Sequence, residues 1–186
     1  MASSYFHAPT IVFWDTVACP IPEGLDAETV VKNISTALYE EGYINLQKIK
    51  AYGDVFEMVE ESGGFATVGL PMCHVPKESE GACLTNILID SLYEGIRRDL
   101  NLNLMLIVDD ISELRQFKYP FVFLHKADNL NFLLAQPEVS SMSVYKPLES
   151  VWDWSSLARG EGPVEDDGKP HRTCQFLYGS ESSDSD

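Results

Sequence analysis

Carboxylates at the ends of apolar runs are the residues of this chain best placed to do chemistry. Asp15 follows Ile11-Val-Phe-Trp14, Asp54 follows Ala51-Tyr-Gly53, and the pair Asp109-Asp110 follows Asn103-Leu-Met-Leu-Ile-Val108. A short, continuous apolar run is the pattern of a strand covered on both faces. In open α/β folds the carboxyl ends of parallel strands form one edge, and ligands bind there. Several acidic oxygens converging at such an edge would suit a hard divalent cation, which prefers carboxylate and water ligands and can activate a bound water. A single Asp closing a strand is merely solvated, so the chemistry depends on how many oxygens meet.

The elements that must position these residues are legible in the periodicity. After the first strand, Pro20-Ile-Pro-Glu-Gly24 makes a rigid turn, and Asp26 is placed to cap a helix from about Ala27 to Glu41. Val30, Val31, Ile34 and Leu38 recur at helical spacing until Gly42 stops the run. Leu46, Ile49 and Ala51 lead a second strand to Asp54; Phe56–Glu61 predicts a short helix broken by Gly63-Gly64, and Thr67–Val75 predicts a third strand ending at Pro76. Ile87, Leu88, Ser91, Leu92 and Gly95 form a stripe on a helix from Leu84 to Arg98. The next strand is Asn103–Val108, and Phe132-Leu-Leu-Ala135 is read as the last main strand, ended by Pro137. Residues 111–131 are ambiguous, because Phe121-Val-Phe-Leu124 suits a strand or an apolar helix face. This alternation predicts an α/β fold with a mostly parallel central sheet flanked by helices, a three-layer sandwich.

Length and composition set the outer limits. At 186 residues there is room for one well-buried domain, placed at 1–160, followed by an acidic, partly disordered tail at 161–186. Within that tail Cys174–Tyr178 could add a short strand or dock as a clamp, and its serines beside acids could accept phosphate. Thirteen Lys plus Arg against 29 Asp plus Glu give a net charge of −16. Residues 161–186 hold seven acids and two bases, a net of −5, so −11 belongs to the domain itself. That balance argues against general nucleic-acid affinity, which needs cations placed on phosphates. Cys19, Cys73, Cys83 and Cys174 have neither zinc spacing nor a Cys-x-x-Cys pair, so they read as reduced thiols. With no 18-residue apolar run and no signal-peptide pattern, the expectation is an intracellular protein, cytoplasmic or nuclear, without membrane contact.

The stretch Phe13-Trp-Asp-Thr-Val-Ala-Cys-Pro20 resembles the opening of the NYN domain, a branch of the PIN-like ribonucleases, and especially plant members related to the meiosis-arrest regulator family. The usual reading there is Phe-Trp-Asp-Ile-Glu-Asn-Cys-Pro; here Thr16, Val17 and Ala18 replace Ile-Glu-Asn. Further pieces fall in the same order: Ala51-Tyr-Gly-Asp54, His74-Val-Pro76, Leu133-Leu-Ala-Gln-Pro137 and Val151-Trp-Asp-Trp-Ser-Ser-Leu157. The resemblance covers residues 9 to about 160. It implies a sheet-edge nuclease centre holding Mg²⁺ or Mn²⁺, and a role in RNA metabolism and regulation of gene expression. Association with peroxisomes is implied by family resemblance only, since the terminal Ser-Asp-Ser-Asp is no import signal of the Ser-Lys-Leu type.

Carried over residue by residue, the resemblance keeps one ligand position as Asp15 and loses the next, an Asn, to Ala18. A third, the acid opening the long helix, falls on Leu84. Asp90, six residues on, stands about 240° round that helix and cannot replace it. The fourth falls on Asp109-Asp110, with Ser112 where a second acid is usual and Glu113 beside it. The metal set would be Asp15, Asp110 and, weakly, Asp54; the catalytic set, if active, Asp15, Asp109 and Asp110. His74 reads as a packed or hydrogen-bonded residue. Trp14, Trp152 and Trp154 could stack on bases, but their apolar neighbours favour packing. The resulting expectation is a degenerate nuclease site acting by binding or regulation. The alternatives are an active metal-dependent endoribonuclease on single-stranded RNA, and a protein-interaction module that pairs with itself or another chain through Phe117, Tyr119 and Phe121.

Overall fold

Every residue of strand β1, Thr10–Asp15, is buried, because the strand runs through the middle of the protein with a neighbour on each side. The computed structural model describes residues 5–60, 65–76, 81–97, 100–109, 129–137 and 150–164. Asp110, Glu113, Phe117, Tyr119, Phe121, Cys174 and the tail beyond Val164 lie outside them. Around β1 lie β2 (Leu46–Gly53), β3 (Met72–His74), β4 (Leu102–Ile107), β5 (Leu130–Gln136) and β6 (Ser150–Asp153). All pair in parallel, in the order β3-β2-β1-β4-β5-β6. The α/β fold expected from the alternation of patterns is thus the fold observed, with every described strand pair parallel.

Strand alternation sorts the core into two layers. Val12, Trp14, Met105, Ile107, Leu133, Ala135 and Trp152 face helices α1 (Ala27–Glu40), α3 (Phe65–Val68) and α5 (Trp154–Ala158). Ile11, Phe13, Leu104, Leu106, Phe132, Leu134 and Val151 face the opposite side, where α4 (Ala82–Arg97) contributes Cys83, Leu84, Ile87 and Leu88. With about 1.5–3 kcal/mol from each fully buried large aliphatic or aromatic side chain, these two faces dominate the stability. Asp26 caps α1 by accepting from the Thr29 N–H, as its place in the sequence predicts.

Two stretches differ from the sequence expectation. Thr67 and Val68, read as strand residues for their branched side chains, belong to the short helix α3, which Gly69 ends at φ +69. Only Met72–His74 pairs as β3. After β5 the sheet gains β6, four residues long and too short for its period to announce it; the Val164 N–H then donates to the Val151 carbonyl. The helix predicted from Phe56 is α2, Val55–Glu60.

Two polar clusters fix the layers. At the sheet's amino edge Thr10, Asn103 and Asn131 stand side by side on β1, β4 and β5. The Asn131 amide donates to Asn103 Oδ1, and Asn103 Nδ2 donates to Thr10 Oγ1 and to the Tyr5 carbonyl, tying the amino-terminal segment to the sheet. On the α4 face, Lys48 and Lys50 of β2 reach Glu94 at 2.7 Å and Asp90 at 2.5 Å, with the Tyr52 hydroxyl also donating to Asp90. Burial works against the charge on Asp90, but the bonds from Lys50 and Tyr52 and the nearby Lys48 outweigh it and hold its pKa below the usual aspartate value.

Replacing Asn103 by Leu strands the buried Asn131 amide and Thr10 hydroxyl, and an expected loss of about 1–3 kcal/mol is readable in urea unfolding. For Asp90 the depressed pKa means stability that is fully present above the unfolded aspartate value and lost as pH falls through the lower folded one. Asp90→Asn is therefore expected to lower the unfolding midpoint at pH 7, with the gap from wild type closing as the pH falls below the ordinary aspartate range.

Candidate functional site

The strand order places a topological switch point between β1 and β4: the chain leaves β1 to one side for β2 and β3, then returns to β4 on the other. In open α/β sheets the carboxyl edge at such a point is the usual ligand position. Because the strands are parallel, the edge carries, in spatial order, His74, Asp54, Asp15, Asp109, Gln136 and Asp153. Asp15 and Asp109 flank the switch point itself.

Asp15 is shaped by its own loop. Its Oδ1 accepts from the Val17 N–H at 3.0 Å and the Ala18 N–H at 3.1 Å, and its carbonyl accepts from the Cys19 N–H. Two indoles hold the loop that follows: Trp14 Nε1 donates to the Cys19 carbonyl at 2.7 Å, and Trp154 Nε1 to the Pro20 carbonyl at 2.9 Å. Their rings lie 5.1 Å apart, with Phe65 5.3 Å from Trp14. Thr16 ties the same loop to β2, donating through both its N–H and Oγ1 to the Tyr52 carbonyl. Gly53 is needed beside it, since a Cβ there would collide with Thr16 Oγ1.

Burial is the largest influence on Asp15 and raises its pKa; the N–H groups of Ala18 and Val17 and the Cys83 thiol oppose this, and Asp109 reinforces it. Cys83, in the first turn of α4, is itself pushed up to about 12 by burial and by Asp15, so it stays a neutral thiol that donates to the carboxylate. Burial likewise keeps the Cys19 thiol neutral. Cys19, Cys73 and Cys83 are all free.

Other residues expected at the site serve local structure. Asp54 Oδ1 accepts from the Phe56 N–H at 2.9 Å and opens α2, as Asp153 opens α5 by accepting from the Ser156 N–H. His74 Nδ1 accepts from the Val55 N–H at 3.3 Å and lies 3.8 Å from Asp54. Leu84 is buried in the α4-side core, and Asp90 turns to Lys50 and Tyr52. Trp14, Trp152 and Trp154 are all buried. Asp109 is exposed at the end of β4, its carbonyl accepting from Gln136 Nε2. Among the described residues no three His, Cys, Asp or Glu side chains gather as a group able to hold a metal ion.

Cys83 and Gln136 are the site residues that sequence reasoning passed over. Cys83 precedes the position singled out at Leu84, but nothing in an isolated Ala-Cys-Leu run says which side chain turns toward Asp15. The edge is also unsuited to a nucleotide phosphate at α1, whose amino end carries the Asp26 carboxylate with Glu28 in its first turn. No helix among the described residues is long and apolar enough to cross a membrane.

With the burial charge removed and the loop bonds kept, Asp15→Asn is expected to be more stable than wild type at pH 7. A raised folded pKa means the native state binds the proton more tightly, so wild type loses stability as pH rises from the ordinary aspartate value to the raised one. The Asn advantage should vanish below that window, whereas Asp15→Ala, which abandons the Val17 and Ala18 bonds, should destabilise at every pH.

No family model matches this chain, and no curated protein does. Among solved structures it is similar to a protein of unknown function from Vibrio parahaemolyticus RIMD 2210633, with a TM-score of 0.54 at 12% identity over 90% of this chain and 98% of that one. At that identity the likeness speaks for the shared α/β fold.

Proposed function

We propose that this chain is an NYN-type, PIN-like domain of RNA metabolism and regulation of gene expression whose nuclease centre is degenerate, so that it works by binding or regulation. The observation that carries the reading is the company of Asp15. One carboxylate oxygen is committed to two backbone N–H groups, and the neighbour from α4 is the neutral Cys83 thiol. Hard divalent cations take several carboxylate and water oxygens together. Ala18 and Leu84 supply none, and Asp54 spends Oδ1 on the start of α2. The described residues therefore do not fit a Mg²⁺ or Mn²⁺ nuclease site, and no cleavage step is routed through one.

The same arrangement gives Asp15 a purpose without metal. Its carboxylate shapes the 15–20 loop that the two indoles lock against the sheet, so that the loop stands fixed beside the switch point, where open α/β sheets bind ligands. The test is incubation of single-stranded RNA with the full chain in Mg²⁺ or Mn²⁺, alongside Asp15→Asn. Wild type and variant are expected to be alike, with no cleavage above buffer. Cleavage by wild type that Asp15→Asn abolishes would overturn the proposal in favour of an active endoribonuclease.

A further inference from the structure

Helix α4 is apolar on two sides. Its inner stripe, from Cys83 to Ser91, is buried against the sheet. Its outer side carries Ile89, 56% exposed, Tyr93, 60%, and Ile96, 71%, with Leu100 at 74% just past the helix end. Within the helix, the steps of four and three residues from Ile89 to Tyr93 to Ile96 are those of a coiled-coil seam. A solvated helix normally turns charge outward on that side, so a continuous apolar line marks an interface.

We propose that this stripe is the seam of an antiparallel homodimer, two copies of α4 packed about a two-fold axis. Such pairing sets Tyr93 against Ile96 across the axis. The residues that flank the seam decide the occupant and its direction. Asp90 and Arg97, one heptad apart on the same edge, are opposite in charge, and antiparallel pairing brings each against the other in the second copy. Parallel pairing would set Arg97 beside Leu92 instead and leave the charges unmatched. Both groups have capacity to spare: the bonds from Lys50 and Tyr52 go to Asp90 Oδ2, and Arg97 reaches Glu94 through one Nη. The remaining net charge of −16 on each copy opposes association, but salt at physiological strength screens it beyond roughly 8 Å. A single helix face per copy makes a small interface, below roughly 1,200 Å², and so a weak one.

The experiment is light scattering or sedimentation equilibrium on the full chain, from about 1 to 200 µM in physiological salt, a range suited to a small interface. The mass is expected to rise with concentration from the 20.8 kDa monomer toward twice that value. Ile96→Glu, at an exposed position, should keep the circular dichroism of wild type and remain monomeric. Arg97→Glu keeps every apolar side chain of the seam and should weaken association several-fold by setting acid against Asp90. A monomer mass at every concentration overturns the proposal, and so does a dimer that survives Ile96→Glu. Association unaffected by Arg97→Glu overturns the antiparallel pairing.

Discussion

Burial of β1 on both faces and both edges is the constraint on which the rest of the structure depends. Ile11 and Phe13 are fully buried on the α4 side and Val12 and Trp14 on the other. The backbone between them has no access to water and must be paired, which β2 and β4 do in register. Once that is satisfied, Asp15 has one place to be: the carboxyl end of the central strand, beside the switch point. Its burial follows from the same packing, and so does the rise in its pKa.

The loop after Asp15 shows how polar groups are satisfied where the core ends. Trp14 and Trp154 each bury a large ring and use the indole N–H to hold a carbonyl of that loop, so one side chain both fills the core and fixes the edge. At the opposite edge Asn103 and Asn131 do comparable work with amides. Over β2, lysines and acids replace apolar contacts: the sheet surface there is half exposed, and Lys48 and Lys50 lay their stems along it while their ammonium groups reach α4. The acidic balance of the chain thus coexists with local pairing of its few cations.

The fold was largely legible because its signals are local and strong. Continuous apolar runs at Ile11–Trp14 and Leu104–Val108 and the helical stripes of α1 and α4 each have a period that survives without tertiary context. The misreadings are equally physical. Thr67 and Val68 have strand-forming side chains, but Phe65 packs into the core beside Trp14, and the segment turns as α3. β6 is four residues that become a strand only because β5 offers an open edge. At the site, Asp15 and Asp109 were found as strand-end acids, whereas Cys83 was not, because its facing depends on how α4 settles on the sheet.

By itself the sequence determined which residues must leave water, where strands end in acids, and that Ala18 and Leu84 bring no oxygen donors. Those are properties of residue type and local period. Tertiary structure decided which ends meet: the order β3-β2-β1-β4-β5-β6 brings Asp15 and Asp109 to the same switch point from positions far apart in the chain. It also decided what each acid does, committing Asp15 to its loop, Asp54 to α2 and Asp90 to Lys50. Hydrogen bonds act over about 3 Å, and only the packed sheet and helices fix which partner lies within that reach.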